Sequence, residues 1–405
     1  MHVLVAIGGL AFLILIHEAG HFVTALAVKM RPRRFYIFFP PALVKWQRKG
    51  IEYGIGAIPL GGYVKIPGMH KPAGADLEAQ FAAAVEEAPW LAAHLEPVKQ
   101  ALDESRLEDA RTGLADLRAA LERSDLSPGA RKAAERGLVD VDDGVSPDAY
   151  WRAPVWKRVT VIAAGPLTNL VFAVVLLAVV FMLGVPSEVD RTIAAVDPGT
   201  PAAQIVRPGD RIVAIDGQPV APDQISEKIR ASKGDPVTLT VQRGGSEVTV
   251  TARPRLTEGA YRLGFTLGII YQSYGPWAAT KLAGERTWEA TRAIGASLGR
   301  IVTGQGRKDV ASPVGIVQAS SQTLEAGFRE YLGILALISL SLALLNLLPL
   351  LPLDGGHIAF SIAEGIRGRA IPREAYERAS AVGILVVLFL FFIGLTNDVN
   401  RIRGG

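Results

Sequence analysis

His17-Glu18-Ala19-Gly20-His21 lies near the end of an apolar run from Val3 to Val28, and its reading decides the fold. On a helix, H-E-x-x-H puts two imidazoles one turn apart on one face. The glutamate beside the first is then placed to act as a general base. The surrounding run is long enough to span a bilayer. Two histidines and a glutamate at membrane depth are costly unless they face a protein-lined cavity and do chemistry there.

The chain has 405 residues, room for two or three domains. Nearly half of them are apolar and the mean hydropathy is +0.27, which predicts part membrane and part aqueous structure. There is no cysteine, so disulfides and thiolate metal sites are excluded. A transition metal must then be held by His, Asp or Glu. The net charge is +4, but residues 71–150 carry roughly twice as many acids as bases, so the remainder is clearly basic. No basic stripe with interleaved aromatics is present, and nucleic acid is not an expected partner.

Four runs qualify as spans: Val3–Val28, Val159–Gly184, Leu332–Leu353 and Val382–Leu395. The first has no basic segment before it and no A-x-A site after it, and it is too long for a signal peptide. Basic residues flank the runs on one side: Lys29, Arg31, Arg33 and Arg34, then Arg152, Lys157 and Arg158, then Arg367, Arg369, Arg373 and Arg378. The positive-inside rule puts these segments in the cytoplasm, with the N-terminus and the 186–330 segment outside. Arg401 and Arg403 run against that pattern.

Between the spans, Phe35–Phe39 and Ile51–Ile55 read as strands around a Lys49-Gly50 turn, followed by Ile58–Ile66. Helical periodicity appears near 76–88, 92–122 and 129–138, within an acidic insertion where His70 and His94 are incidental. Residues 187–270 return to strands, at 192–196, 211–215, 237–241 and 248–251, with a helix near 224–231. Residues 276–303 read as an amphipathic helix carrying Trp277 and Trp288.

Two histidines need at least one more ligand and an open position. Asp354 is the candidate. It follows the third apolar run, where Pro349 and Pro352 break the helix, and irregular backbone at that depth should line a cavity. The first and third runs travel in the same direction, so their inner ends can meet. The alternative is a helix-end cap at Asp354 with His17 and His21 as buried polar residues. His357 reads as a helix-end residue rather than a fourth ligand.

These motifs resemble the site-2 protease family of intramembrane zinc metalloproteases, peptidase M50. The resemblance rests on H-E-x-x-H in the first span and on Asn346, Pro349, Asp354 and Gly355 as N-x-x-P-x-x-x-x-D-G. It is extended by Pro-Leu-Gly-Gly-Tyr at 59–63, Ala164-Gly165-Pro166-Leu167-Thr168-Asn169 and Ser312-Pro313-Val314-Gly315-Ile316. Residues 187–270 resemble a PDZ domain, most clearly at 209–217. Tyr261-Arg262-Leu263-Gly264-Phe265 resembles its carboxylate loop, so Leu263, Gly264 and Phe265 are expected to line a groove for a peptide C-terminus. The type implied is similar to the regulator-of-sigma-E proteases, with one PDZ domain.

The resemblance implies an α-helical multi-pass membrane protein with four transmembrane helices and a membrane-associated β-hairpin. An extracytoplasmic α+β PDZ domain and a helical cytoplasmic insertion complete it. The expected divisions are 1–70, 71–150, 151–186, 187–270, 271–330 and 331–405. The implied activity is zinc endopeptidase cleavage of transmembrane segments in single-span proteins, such as anti-sigma factors or signal-peptide remnants, during regulated intramembrane proteolysis. One Zn2+ would be held by His17, His21 and Asp354, with Glu18 catalytic, and Asn346, Asn169, Gly61 and Gly62 would bind substrate. The implied location is the bacterial cytoplasmic membrane, in contact with lipid, with the active site near the cytoplasmic face. The insertion and Pro352 depart from the family pattern. A PDZ scaffold without activity and a zinc transporter are the competing readings. The intact ligand set argues against the first, and the clustering of polar residues at one depth argues against the second.

Overall fold

The computed structural model describes residues 1–257, 259–302, 305–306 and 310–403. The chain divides into two compact units, one of residues 1–177 and 284–405 and the other of residues 178–283.

The first unit begins with α1 (His2–Ala27). Its buried residues are Ala6, Leu13, His17, His21 and Ala25, a stripe with helical spacing. The apolar run therefore turns one face inward, and both motif histidines lie on it. β1 (Arg34–Arg48) and β2 (Ile51–Lys65) follow, joined by Lys49 and Gly50 at φ 51° and 77°. Two consecutive left-handed residues match the right-handed twist of the strands they connect.

The ribbon is longer than the sequence pattern suggests, and it is folded back. Arg34–Ile37 pairs with Gly62–Lys65, and Ala42–Arg48 pairs with Ile51–Gly56. Arg34–Ile37 also lies beside Glu52–Ile55. Phe38, at φ 69°, turns the first strand between its two arms. Gly62–Lys65 is thus an outer arm with one partner segment among the described residues.

Next come α2 (Gly74–Glu87), α3 (Ala92–Asp103), α4 (Leu107–Arg123) and α5 (Pro128–Val145). The periodicity expected over 92–122 is divided in two, because Ser105 adopts φ 60° and the helix cannot pass through it. Leu77, Phe81, Leu91, Val98, Leu117 and Ala134 pack into a core belonging to these helices. The two ends of the segment are tied by Tyr150 N donating to Pro67 O (2.9 Å) and Trp151 N to Gly68 O (3.0 Å).

α6 (Val155–Leu183) is the second apolar helix and continues into the second unit. That unit contains β3 (Val185–Val196), β4 (Arg211–Ile215), β5 (Gln218–Pro219), α7 (Pro222–Ala231), β6 (Val237–Arg243), β7 (Ser246–Ala252), β8 (Arg255–Thr257), β9 (Ala260–Arg262) and β10 (Phe265–Gln272). The main sheet runs β10-β3-β4-β6-β7, with β5 paired to β4. Ile193, Ile212, Ile215 and Leu239 from the sheet meet Ile225 and Ile229 of α7 in one core. All the strands and the helix expected between 192 and 251 are present. β3 is longer than its pattern, and β10 is an additional edge strand.

α8 (Pro276–Val302) leads back to the first unit, and Thr303 of the expected helix lies outside the described residues. α9 (Pro313–Ala326), α10 (Phe328–Asn346), α11 (Asp354–Arg367) and α12 (Arg373–Arg403) complete it. Among the described residues, α1, α6, α10 and α12 are the four helices long and apolar enough to cross a membrane. The third span ends at Asn346, seven residues before the apolar run does, in a turn containing Pro349 and Pro352. Leu385 and Phe392 of α12 are 67% and 60% exposed, as side chains facing lipid would be.

Phe81 is fully buried at the centre of the α2–α5 core. Phe81→Ala is expected to destabilise these helices by about 3–5 kcal/mol, as large-to-small changes in a tight core do. Hydrogen exchange on the full chain in detergent would show faster exchange across α2–α5 while α1 and α10 stay protected. Unchanged exchange in α2–α5 would contradict the assignment of this core.

Candidate metal centre

His17 and His21 are four residues apart in α1, and each is 7% exposed. Their ring centroids are 4.9 Å apart with planes at 83°, so the rings converge edge to face. The two Nε2 atoms are 3.3 Å apart. Asp354 is 337 residues from His17 in sequence, yet its Oδ2 lies 3.1 Å from His17 Nε2 and 3.4 Å from His21 Nε2. Among the described residues, this trio is the group of His, Asp and Glu side chains whose ligand atoms converge as a metal site requires.

The triangle has the size that zinc needs. Ligands about 2.0–2.1 Å from a tetrahedral ion are about 3.3–3.4 Å from one another. Two imidazole nitrogens and a carboxylate oxygen are also the donor types of a catalytic zinc site. The residues present therefore fit the group that the motif implies.

Local sequence explains how Asp354 reaches the histidines. Pro349 and Pro352 have no N–H to continue α10, and Leu347–Leu353 forms a tight turn. Asp354 opens α11 after that turn. A Cβ at Gly355 would lie 2.3 Å from the Leu347 and Leu348 carbonyl oxygens, so only glycine lets the new helix start against the preceding backbone.

α6 frames the other side. The Val161 carbonyl accepts a hydrogen bond from His21 Nδ1 at 2.9 Å. A Cβ at Gly165 would come within 2.3 Å of His21 Nε2 and 2.9 Å of His17 Nε2, so the close approach of α6 requires glycine there. Asn169 is fully buried, and its amide nitrogen lies 3.4 Å from His17 Nδ1. Ser339 of α10 donates to the Asn169 carbonyl at 2.8 Å and fixes this part of α6.

Glu18 faces β2. A Cβ at Gly62 would meet Glu18 Cγ at 2.7 Å and the Tyr36 carbonyl oxygen at 2.8 Å. Gly61 packs against the Phe39 ring. The Asn346 amide donates to Leu342 O within its own helix at 3.0 Å. His357 packs near Tyr376, at 6.4 Å between centroids, and burial lowers its pKa below the ordinary histidine value. It is outside the converging trio.

In the second unit, Leu263 is buried in the core, Gly264 has φ 88°, and Phe265 begins β10. Ala202 N donates to Leu263 O (2.8 Å) and Asp197 N to Gly264 O (2.9 Å).

Several contributors escaped the sequence reading. The Val161 carbonyl is a backbone atom and carries no residue signature. A buried ion pair joins Arg158 of α6 to Glu364 of α11, and Tyr150 Oη lies 3.1 Å from Ser361 Oγ beside it. In sequence Arg158 carries only the signal of a flanking positive charge. Its low exposure, 5%, shows that it also ties α6 to the helix that begins with Asp354.

A sequence profile of peptidase family M50 matches residues 5–390. A protein of Agrobacterium fabrum, whose name assigns it provisionally as a zinc metalloprotease, is 29% identical over 98% of this chain and 94% of its own length. Regulator of sigma-W protease RasP of Bacillus subtilis is 27% identical over 96% of each chain. Metalloprotease MmpA of Caulobacter vibrioides is 26% identical over 97% of this chain and 94% of its own. A profile match across nearly the whole length, in a chain with four apolar helices and a His–His–Asp trio, leaves one assignment: the chain belongs to peptidase family M50, as a membrane zinc metalloprotease of the site-2 protease type.

Proposed function

We propose that this protein cleaves the transmembrane segments of single-span membrane proteins in regulated intramembrane proteolysis. His17, His21 and Asp354 hold the zinc and Glu18 is the general base. The observation that carries this reading is the 3.1–3.4 Å convergence of the three side chains beside Glu18, between helices long enough to span a bilayer. Anti-sigma factors and signal-peptide remnants are the substrate classes proposed. The name of the Bacillus relative, a regulator of a sigma factor, supports the first class.

The chemistry assigned to the residues follows from their types. When bound, zinc supplies Lewis acidity that polarises the scissile carbonyl and acidifies water. Glu18 takes the proton from the attacking water and delivers it to the leaving amine. A helical substrate has its carbonyls hydrogen-bonded and shielded, so the segment must unwind before it is cut. The outer arm Gly62–Lys65 offers a strand edge to an extended peptide, with Gly62 beside Glu18. Gly61 and Gly62 belong to that receiving strand, and Asn346 holds the unwound substrate backbone.

The second unit is proposed as a PDZ domain that docks or filters substrates outside the membrane. Its support is the edge strand β10, which begins at Phe265 directly after Leu263-Gly264 and suits a peptide C-terminus. The flanking charges support a cytoplasmic location for the α2–α5 helices and for the inner ends of α1 and α10.

Glu18→Gln is expected to abolish cleavage of a single-span substrate, with losses of at least 10²-fold, while zinc content stays unchanged. Normal turnover would remove Glu18 from the mechanism. Deleting residues 190–256 is expected to deregulate or block cleavage of a full-length substrate while a short transmembrane peptide is still cut in detergent. Cleavage of the full-length substrate at the wild-type rate would refute the docking role.

A further inference from the structure

Metal binding dictates where each histidine carries its proton. His17 and His21 turn their Nε2 atoms toward Asp354 and each other, at 3.1, 3.3 and 3.4 Å. A neutral imidazole that offers the Nε2 lone pair bears its proton on Nδ1. Nδ1 is then a donor and needs an acceptor. His21 has one, the Val161 carbonyl at 2.9 Å.

His17 Nδ1 instead faces the side-chain amide of Asn169 at 3.4 Å, with the NH2 group toward the ring. Two donors cannot bond to each other. The oxygen and nitrogen of a side-chain amide are nearly isosteric, and the hydrogen bonds decide which occupies which place. Asn169 Oδ1 is buried and has no hydrogen-bond partner among the described residues, so turning the amide gives up only the Nδ2–His17 Nδ1 contact, which a proton on Nδ1 already rules out as a hydrogen bond. Turned, Oδ1 meets His17 Nδ1–H and the NH2 group takes the position that Oδ1 held.

We propose that Asn169 is a positioning residue of the metal centre. Its side-chain oxygen accepts the Nδ1–H of His17 and holds that ring with Nε2 toward the zinc, as the Val161 carbonyl does for His21. The inference rests on the reading that His17, His21 and Asp354 bind the ion. It reassigns Asn169, which the sequence resemblance gives to substrate. The residue is 0% exposed and its backbone carbonyl is held by Ser339. α6 thus orients both imidazoles without supplying a ligand, and the partners sit eight positions apart at 161 and 169 on one helix.

The test is zinc affinity of the full chain in detergent, measured by competition with a chromophoric chelator. Asn169→Leu keeps the shape and removes the acceptor. It should weaken zinc binding by about 10–100-fold, the usual loss when a partner of a metal-bound histidine is removed. Asn169→Asp keeps an acceptor and should bind zinc close to the wild-type value. If Asn169→Leu binds as wild type does, or if a folded Asn169→Asp is as weak as Asn169→Leu, the proposal is overturned. A second measurement uses the wild type alone. In zinc-loaded protein with ¹⁵N-labelled histidine, the His17 proton should be found on Nδ1 by NMR, and a proton on Nε2 would overturn the proposal. His17→Ala separates the two levels of inference. If it binds zinc like the wild type, the ligand assignment itself fails. If it loses zinc while Asn169→Leu keeps it, only the role of Asn169 fails.

Discussion

Burying two imidazoles and a carboxylate among apolar helices is expensive unless the three groups share one partner that satisfies them all. His17, His21 and Asp354 meet within 3.4 Å of one another, so a single divalent cation held there would offset the desolvation of every one. Much of the first unit serves that convergence. α1 brings its histidines inward on one stripe, and the proline-broken turn after α10 delivers Asp354. Gly355 and Gly165 remove the atoms that would keep the backbones apart.

α6 holds this arrangement without being a ligand helix. Val161 faces His21, Gly165 lies under both rings, Asn169 lies against His17, and Arg158 pairs with Glu364 in the helix that carries Asp354. The Arg158–Glu364 pair is also buried, and removing one member of such a pair leaves an uncompensated charge. The geometry of the proposed zinc ligands is therefore set partly by contacts beyond them, one of which lies nearly three turns along α11 from Asp354.

Much of this was legible in the residues. The H-E-x-x-H spacing, the four apolar runs and the strand alternation of the second unit each carry a period or a motif, and periods survive in a linear reading. Asp354 stands out because prolines and a carboxylate at the end of an apolar run need a cavity to face. What escaped has no such local signal. Ser105 divides an otherwise continuous helical pattern through one left-handed residue, and Phe38 folds a strand in the same way. The Val161 carbonyl is available at any residue, and the Arg158–Glu364 pair joins positions 206 residues apart. The burial of Asn169 against His17 likewise depends on helix packing, which a sequence motif does not encode.

The central claim is that the zinc is held by two imidazoles and one carboxylate from α1 and α11. X-ray absorption at the zinc edge on the detergent-solubilised chain tests it most directly, comparing the wild type with Asp354→Asn. The account predicts two imidazole shells plus oxygen donors in the wild type, and loss of metal or of the carboxylate oxygen in the variant. A wild-type site with a single imidazole, or an unchanged zinc environment at full occupancy in Asp354→Asn, would contradict it.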